Sequence, residues 1–535
     1  MTSPPSLRDV EAAVQRGDIA RASALARAAV EGGRRHPLLF NLLAHASEEQ
    51  HRYAEAVEHL KRGLEIAPQD PTLLTSLGMC LGKIERRSEA VASFKAALDV
   101  APDFPGALSG LAENLTTLGH SEAARGFYEK ALRLAPDYAE PWVGLATLTA
   151  RSGDAAGARA YAERALRLAP AHPAAVGVLA MAEIAEKQFE AAERRLRALL
   201  AGPVEPIARA NAWCILGDAL HGQGRTDEAF EAYTEGGRLF RDVYAPVFAA
   251  GESLPDRITR LTAWLEAAPA SIWDGAGAGD GPARGHAFLM GFHRSGTTLL
   301  EQVLAGHPEV VALEEKPTLV EPEHEFVLAP GGLDRLAALD EAGIARLRAN
   351  YWERVRAFGV EPEGKLFLDK MPFNTINLAV IAKLFPEAKV LFARRDPRDV
   401  VLSCFRKNFR ANAAMYQMLD PVDAARLYDL VMTHAEVARA KLPLPVHEVR
   451  YERLVADFEA EARAACAFLG LDWREEMKDF VATSRTRSIA TPSAAQVRQG
   501  LYREGAGQWR RYAAHLQGAL PILRPWVKRY GYEPD

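Results

Sequence analysis

The stretch that decides the fold of the C-terminal half runs from Gly291 to Pro308 and reads GFHRSGTTLLEQVLAGHP. A short apolar run, Ala287 to Met290, precedes it and predicts a buried strand. Gly291 and Gly296 have four residues between them, which is the spacing of a phosphate-binding loop. The N–H groups of such a turn and the positive N-terminus of the next helix point at an anion. The stretch therefore predicts a strand, an anion-binding loop and a helix.

The loop lacks the residue that handles a triphosphate. Thr297 follows Gly296 at the position where a nucleotide hydrolase carries lysine for the β- and γ-phosphates. Arginine stands inside the loop instead, as Arg294. The residues expected to grip a phosphate-like group are Arg294, Ser295, Gly296, Thr297 and Thr298. An ordinary strand-to-helix turn is the alternative interpretation.

A second cationic segment, Lys389 to Arg410, predicts a further anion site. It begins with a short apolar strand, after which Asp396 can cap a helix that has Pro397 in its first turn. Three polar residues recur at every fourth position along this predicted helix and share one face: Asp399, Ser403 and Lys407. Arg395 at the strand end and Ser403 can both reach one phosphate. A solvated basic face is the alternative.

Two further groups of residues are candidates for chemistry. The acidic pair Glu314-Glu315 follows the helix of the loop, and an ordinary solvated turn is its alternative interpretation. Lys370 follows an apolar run, and a charge at the carboxyl end of a strand suits an α/β active site. Near the C-terminus, REGAGQW from Arg503 to Trp509 offers an arginine, a glycine-rich turn and a tryptophan.

The first half of the chain is a repeat array. The dipeptide Ala-Pro recurs at a constant step of 34 residues, at Pro68, Pro102, Pro136 and Pro170. This period, with two helical patterns per unit, is typical of tetratricopeptide repeats, and about seven units are expected within residues 1–245. Such an array forms an all-α superhelix whose concave face binds peptide or protein. A pure scaffold is the alternative.

The domain organisation follows from composition. Residues 246–284 are expected to form a connecting helix and a Gly/Ala-rich linker, and residues 285–535 an α/β domain with a parallel sheet. A formal net charge of −5 argues against a general nucleic-acid binder. Neither a membrane span, a secretory signal nor a metal-ligand spacing of the four cysteines is recognisable, so a cytoplasmic location without a metal is expected.

The loop after Gly291, the cationic segment Lys389 to Arg410 and the C-terminal REGAGQW together resemble the PAPS-dependent sulfotransferases, in particular the tyrosylprotein sulfotransferase branch. Bacterial-type proteins that join tetratricopeptide repeats to such a domain look similar along the whole length. The resemblance implies a P-loop-like α/β domain and 3′-phosphoadenosine 5′-phosphosulfate (PAPS) as the sulfuryl donor, with no metal required. It also implies an acceptor with a hydroxyl group.

The resemblance also assigns roles to individual residues. Arg294 and the four residues after it would hold the 5′-phosphosulfate, and Arg395 and Ser403, with Lys407 in reach, the 3′-phosphate. Glu315 would be the catalytic base, with Glu314 in reserve, while Lys370 and Arg294 would stabilise the transition state and leaving group. Four more residues fall on family positions for the nucleotide: Tyr451, Ser493, Arg503 and Trp509. Pro317 and Gln508 depart from the tyrosine enzymes, which carry arginine and lysine there.

The function expected from this resemblance is transfer of a sulfuryl group from PAPS to a protein tyrosine, with the repeats binding the acceptor or a partner. A carbohydrate, a lipid or a small phenol is the alternative acceptor. From other classes, a P-loop kinase or NTPase and a non-catalytic repeat scaffold stay open. The missing loop lysine, Thr297 in its place, disfavours the kinase.

Overall fold

The computed structural model describes residues 5–249, 251–273, 281–407, 412–482, 500 and 505–534. Two of the predicted nucleotide-binding residues, Ser493 and Arg503, lie outside these ranges. The chain divides into two compact units, Met1–Ala182 and Glu183–Asp535. No helix of the described ranges is long and apolar enough to cross a bilayer.

The first unit is built from antiparallel helix pairs, as the 34-residue period predicts. The helices that begin in it are α1 (Leu7–Gln15), α2 (Ile19–Glu31), α3 (Pro37–Glu48), α4 (Tyr53–Leu64), α5 (Pro71–Lys83), α6 (Arg87–Val100), α7 (Pro105–Leu118), α8 (Ser121–Leu134), α9 (Ala139–Arg151), α10 (Ala155–Leu168) and α11 (Pro173–Ala185). Each Ala-Pro dipeptide lies just after the second helix of a pair, where proline prevents a further helical turn. The prediction of a tetratricopeptide-repeat superhelix is confirmed.

Small residues let the paired helices approach closely. A Cβ atom added to Gly78 would lie 2.9 Å from the ring of Phe94, and one added to Gly144 would lie 2.1 Å from the ring of Tyr128. Both aromatic rings are buried in the seams between helices. At these two positions glycine therefore leaves room for a bulky ring of a neighbouring helix.

The second unit contains the other helices of the described ranges, around one sheet. They are α12 (Phe189–Leu200), α13 (Pro206–Gly222), α14 (Thr226–Phe248), α15 (Leu254–Ala267), α16 (Thr297–Ala305), α17 (Val320–Pro322), α18 (Gly332–Ala337), α19 (Glu341–Ala357), α20 (Leu378–Leu384), α21 (Pro397–Arg406), α22 (Ala413–Gln417), α23 (Pro421–Lys441), α24 (Tyr451–Ala456), α25 (Phe458–Leu469) and α26 (Leu520–Arg529). Short 3-10 turns occupy Ala270–Trp273, Pro372–Asn377, Glu475–Asp479 and Gln508–Tyr512, and a π-helical turn occupies Glu323–Leu328.

The sheet has five parallel strands in the order β2-β3-β1-β4-β5. Their bounds are β1 (Gly285–Gly291), β2 (Val310–Glu314), β3 (Leu366–Lys370), β4 (Lys389–Arg394) and β5 (Val446–Arg450). Both faces are covered: Phe288 and Met290 of β1 belong to one apolar core, and Ala287 and Leu289 to another. Parallel sheets are stable in this buried, two-sided form. The prediction of an α/β domain with a parallel sheet is confirmed.

The charged residues at the carboxyl ends of the strands lie together along one edge of the sheet. Three strands end on Glu314, Lys370 and Arg394, and β1 ends on Gly291, where the anion loop begins. In the register of the sheet, Lys370 pairs with Glu314 of β2 on one side and with Leu289 of β1 on the other. Ligands of open α/β sheets bind outside the carboxyl ends of the strands. This edge is therefore where the candidate site is found.

Candidate active site

The anion loop has a backbone that only glycine can adopt at two positions. Gly291 has φ of 154°, and a Cβ atom there would lie 2.4 Å from the carbonyl oxygen of Ala393. Gly296 has φ of 97° and precedes Thr297, the first residue of α16, while its added Cβ would lie 2.7 Å from the ring of Tyr451. The sequence-predicted strand, loop and helix are therefore all present, and α16 directs its N-terminus to the carboxyl edge of the sheet.

Arg294 and the second cationic segment come together beside this loop. Arg294 has a left-handed φ of 65°, and its Nε donates to Ser403 Oγ at 3.0 Å. Arg395 Nη1 donates to the carbonyl oxygen of Arg294 at 3.1 Å, and its Nη2 donates to the carbonyl oxygen of Gly505. The two segments predicted to bind anions are thus directly hydrogen-bonded, although more than a hundred residues separate them.

The two guanidinium groups lie in surroundings that favour an anion. Burial, and to a lesser degree the charge of Arg395, lowers the pKa of Arg294 to about 10. Arg395 is itself buried, stacks on the ring of Tyr451 with its guanidinium carbon 4.8 Å from the centroid, and its Nε lacks a hydrogen-bond partner among the described residues. Two neighbouring, desolvated cations with an unsatisfied donor provide a site that a phosphate or sulfate group fits.

Lys370 is surrounded by carboxylates. The side chain is fully buried, and its Nζ lies 2.8 Å from Glu315 Oε1, 3.4 Å from Glu301 Oε2 and 3.5 Å from Glu314 Oε1. Burial alone lowers the pKa of the ammonium group, but the three carboxylates outweigh it and raise the pKa above the ordinary value. Lys370 is therefore a permanent cation at neutral pH.

Among these carboxylates, Glu315 is the accessible one. Its side chain is 32% exposed, compared with 10% for Glu314 and 0% for Glu301. Its backbone has a left-handed φ of 44°, and its N–H donates to the carbonyl oxygen of Lys370 at 2.7 Å, which extends the β2–β3 ladder by one bond. Glu315 is thus partly open to solvent while it remains paired with Lys370.

Two residues of the site were missed from the sequence. Glu301 is fully buried in α16, and its being the one charged residue of that helix is a signal that could have revealed it. His293 stacks on Phe373 with centroids 5.2 Å apart and an interplanar angle of 19°. Burial lowers the pKa of His293, while the charge of Glu315 acts in the opposite direction. The anion loop therefore contains a neutral imidazole.

Helix α21 differs from the sequence expectation at its end. Asp396 caps it as predicted, since Asp396 Oδ1 accepts from the backbone N–H of Arg398 at 2.9 Å. The helix ends at Arg406, however, and Lys407 has extended backbone angles. The prediction that Lys407 shares a helix face with Ser403 is therefore wrong, because the helical spacing stops one residue earlier. Lys407 Nζ instead donates to Asp218 Oδ2 at 3.0 Å.

The C-terminal segment is fastened to α21 by Asp399. Its carboxylate accepts from the backbone N–H groups of Gly507 at 2.6 Å and Trp509 at 2.9 Å. The Trp509 ring is buried, and the guanidinium carbon of Arg398 lies 4.0 Å from the ring centroid. Gln508 Oε1 accepts from Arg406 Nη1 at 2.9 Å. The predicted residue Trp509 thus contacts α21, and its segment closes over the same side of the site as Arg395.

The other predicted residues lie around the loop. The side chains of Ser295, Thr297 and Thr298 are buried, and Tyr451, the first residue of α24, packs on Gly296 and Arg395. Within the described ranges, no group of three or more His, Cys, Asp or Glu side chains is arranged to hold a metal ion.

Comparison with known proteins matches the two halves separately. The sulfotransferase family matches residues 287–475, which contain the loop, the carboxylate cluster and α21. Tetratricopeptide repeats match residues 7–71, 77–139, 149–210 and 210–236.

Individual relatives are distant. An uncharacterised protein of Aquifex aeolicus (strain VF5) is 26% identical over 349 residues, which cover 62% of this chain and 44% of the relative, so the match spans less than half of that protein. Protein-tyrosine sulfotransferase 1 of Danio rerio is 28% identical over 266 residues, covering 46% of this chain and 72% of the enzyme. A solved tetratricopeptide-repeat protein of Thermus thermophilus is 22% identical, with a TM-score of 0.31, and the match covers 34% of this chain and 98% of that one. The chain is therefore an array of tetratricopeptide repeats followed by a C-terminal domain of the sulfotransferase family.

Proposed function

We propose that this chain transfers a sulfuryl group from PAPS to the hydroxyl group of a protein tyrosine. The observation that carries the proposal is the convergence of Arg294 and Arg395 on the anion loop, beside the Lys370–Glu315 pair. The sulfotransferase match and the similarity to tyrosine sulfotransferases support the same chemistry. Donor, acceptor and residue roles are part of the proposal.

The residues present suit a donor with phosphate groups at two positions. The loop from Arg294 to Thr298, with the N-terminus of α16, would bind the 5′-phosphosulfate. Arg395, Ser403 and Lys407 would bind the 3′-phosphate. Two observations support this fit: Arg395 Nε has no hydrogen-bond partner among the described residues, and burial lowers the pKa of Arg294. A bound anion would supply an acceptor to the first group and stabilise the charged form of the second.

The acceptor would be activated by Glu315. A phenol with a pKa of about 10 is mostly protonated at neutral pH, so a base must take its proton as the new S–O bond forms. Glu315 is the exposed carboxylate of the cluster and is held by Lys370 at 2.8 Å. As the bond between sulfur and the phosphate oxygen breaks, Arg294, Lys370 and the loop N–H groups would stabilise the charge on the leaving oxygen.

Two differences from the tyrosine enzymes favour a different acceptor. Gln508, where the tyrosine enzymes carry lysine, is held by Arg406 on the side of α21, and Pro317 follows the acidic pair where they carry arginine. Both differences remove a positive charge that would attract an acidic peptide. Transfer to a carbohydrate, a lipid or a small phenol is therefore the second candidate, with the same donor and base.

Calorimetry with PAP (the desulfonated donor), ATP and GTP tests the donor. We expect PAP to bind without Mg²⁺ and with a Kd at least about tenfold lower than that of either triphosphate. Preference for ATP would favour a kinase, and no nucleotide binding would favour a scaffold. Incubation with radiolabelled PAPS and a panel of tyrosine peptides, phenols and saccharides then identifies the acceptor. Label on saccharides alone would overturn the tyrosine assignment.

A further inference from the structure

The last helix pair of the repeat array packs against the candidate site. Helices α13 and α14 contain the repeat matched at residues 210–236 and belong to the compact unit Glu183–Asp535. From α14, the Phe230 ring stacks on His515 at 4.4 Å and lies 5.2 Å from Phe405 of α21. From α13, His221 Nδ1 and the hydroxyl of Tyr512 are hydrogen-bonded at 2.8 Å. The last repeat thus contacts both α21 and the C-terminal segment.

Asp218 is the polar centre of this contact. Its Oδ2 accepts from Lys407 Nζ at 3.0 Å, its Oδ1 accepts from the Tyr233 hydroxyl at 2.8 Å, and Arg406 Nη2 lies 3.7 Å away. The side chain is 28% exposed. Burial raises the pKa of Asp218, but Lys407 and Arg406 outweigh it and hold the pKa below the ordinary value. Asp218 is therefore an anion at neutral pH.

Arg406 connects the last repeat with the C-terminal segment. Its Nε donates to the Tyr233 hydroxyl at 3.3 Å, and its Nη1 donates to Gln508 Oε1 at 2.9 Å. The guanidinium carbon lies 5.8 Å from the centroid of the Tyr512 ring. Asp218, Arg406 and Lys407 therefore form one network that joins the last repeat to the side of the site where Arg395 and Ser403 lie.

We propose that Asp218, on the last repeat, is a positioning residue for the donor: through its ion pair with Lys407 it orders the cation assigned to the 3′-phosphate. The inference rests on the proposed function, which gives Lys407 that role. Lys407 follows the last residue of α21 and has a long, flexible side chain, so an acceptor such as Asp218 is needed to order it. Without Asp218, Lys407 would have the cation Arg406 as its neighbour and would be repelled from this position.

The test compares two adenosine ligands that differ at the 3′ position. Asp218→Asn removes the charge, keeps the size and can still accept from the Tyr233 hydroxyl. We expect it to raise the Kd of PAP by about tenfold in calorimetry. The Kd of adenosine 5′-phosphosulfate, which lacks the 3′-phosphate, should change by less than about twofold, because Lys407 does not contact it.

Two controls separate positioning from a loosened interface. In a Lys407→Met background, Asp218→Asn should add no further loss of PAP affinity, because Asp218 acts through Lys407. Asp227→Asn alters a hydrogen bond between Asp227 Oδ1 and His515 Nε2, 2.7 Å long, in the same contact between α14 and the C-terminal segment. Since Asp227 touches neither Lys407 nor Arg406, its removal should leave the Kd of PAP unchanged.

Several results would overturn the inference. They are an unchanged or lower Kd of PAP for Asp218→Asn, an equal loss for both ligands, and losses that add to those of Lys407→Met. A wild-type chain that does not bind PAP would overturn the proposed function together with this inference. Wild-type binding of PAP with no effect of Asp218→Asn would overturn the inference alone.

Discussion

At the scale of single residues, the candidate site is a balance of charges around two groups of cations. Lys370 is paired with three carboxylates, whereas Arg294 and Arg395 lie next to each other, and Arg395 Nε has no hydrogen-bond partner in the part of the chain that the structure describes. The cluster around Lys370 suits proton transfer, and the Arg294–Arg395 pair suits the binding of an anion. Burial strengthens the electrostatic interactions of both clusters, because the attraction between opposite charges increases as water is excluded.

Replacing the proposed base should separate chemistry from binding. We expect Glu315→Gln to lower kcat by about 100- to 10,000-fold, since general base catalysis is lost. The Kd of PAP should stay within about twofold, because Glu315 does not belong to the anion loop. Glu314→Gln removes the same charge from the less exposed neighbour and should cost less than about tenfold. Near-normal turnover of Glu315→Gln would reject the assignment.

The buried Glu301 should influence the pH dependence of the reaction. Glu301 and Glu315 share Lys370 as their cation, with Glu301 Oε2 at 3.4 Å and Glu315 Oε1 at 2.8 Å from its Nζ, so removing the negative charge of Glu301 should strengthen the Lys370–Glu315 pair. We expect Glu301→Gln to move the acidic limb of the kcat/KM profile down by about one pH unit.

The control for this shift is Glu309→Gln, which removes an exposed carboxylate paired with Arg284 just before β2, at the opposite edge of the sheet. Its acidic limb should coincide with that of the wild type. A profile of Glu301→Gln that also coincides with the wild type would show that Glu301 does not influence the base.

At the scale of elements, the site depends on where each strand stops and each helix begins. The loop can turn between β1 and α16 because Gly296 adopts φ of 97° with Tyr451 packed against it. Helix α21 stops at Arg406, which releases Lys407 toward Asp218. A shift of one residue in the start of α16 or in the end of α21 would move Arg294 or Lys407 away from its present partner.

Substituting the loop glycine should affect both stability and affinity. Gly296→Ala places a Cβ in a left-handed backbone and 2.7 Å from the Tyr451 ring, so we expect a loss of about 1–3 kcal/mol in the free energy of unfolding. The Kd of PAP should rise as well, because the loop N–H groups shift. Urea unfolding and calorimetry measure the two effects.

A matched glycine provides the control. Gly126 lies on an exposed face of α8, and a Cβ atom there would meet nothing within 4 Å. Gly126→Ala should raise the free energy of unfolding of its own repeats by up to about 1 kcal/mol, since alanine favours the helix. Equal behaviour of the two variants would argue against strain at Gly296.

At the scale of the whole molecule, the division into compact units places the last repeat with the sulfotransferase domain. The boundary between units falls after Ala182, and α13 and α14 share the unit of the sheet. The domain boundaries expected from the sequence, at residues 245 and 284, stay a prediction.

Buried histidines of the second unit make its stability depend on pH. Acid should destabilise the second unit through these histidines. Burial lowers the pKa of His221 and His434 to about 4 and that of His286 to about 3. Because these values lie below those of the unfolded chain, the stability is present above pH 6.5 and is lost as the pH falls toward 4. We expect each to cost about 2 kcal/mol between pH 7.5 and pH 5.

His434→Asn tests one of these contributions. Asparagine can replace the hydrogen bond between His434 Nδ1 and Thr262 Oγ1, which is 3.0 Å long, but it does not titrate. Urea unfolding at both pH values should show that the variant loses about 2 kcal/mol less than the wild type. An equal loss would show that protonation of His434 does not contribute.

The amino-acid sequence by itself determined the local features. The 34-residue step, the loop between Gly291 and Gly296 and the Asp396 cap depend on neighbours within a few turns of chain, so their pattern could be read directly. Strand ends also marked Lys370 and Arg395 as charged residues at one edge of a sheet. The roles taken from the family resemblance, including those of Ser493 and Arg503 outside the described ranges, stay predictions.

Only the tertiary structure decided which of these charges meet. The strand order places β3 between β2 and β1, which brings Lys370 to Glu301 and Glu315. Lys407 and Asp218 are 189 residues apart in sequence, and their pairing arises from the packing of α13 against α21. Such contacts depend on how complete elements pack rather than on local spacing, and burial then sets their strength. A periodic sequence pattern does not indicate which elements pack together or how deeply their charged residues are buried.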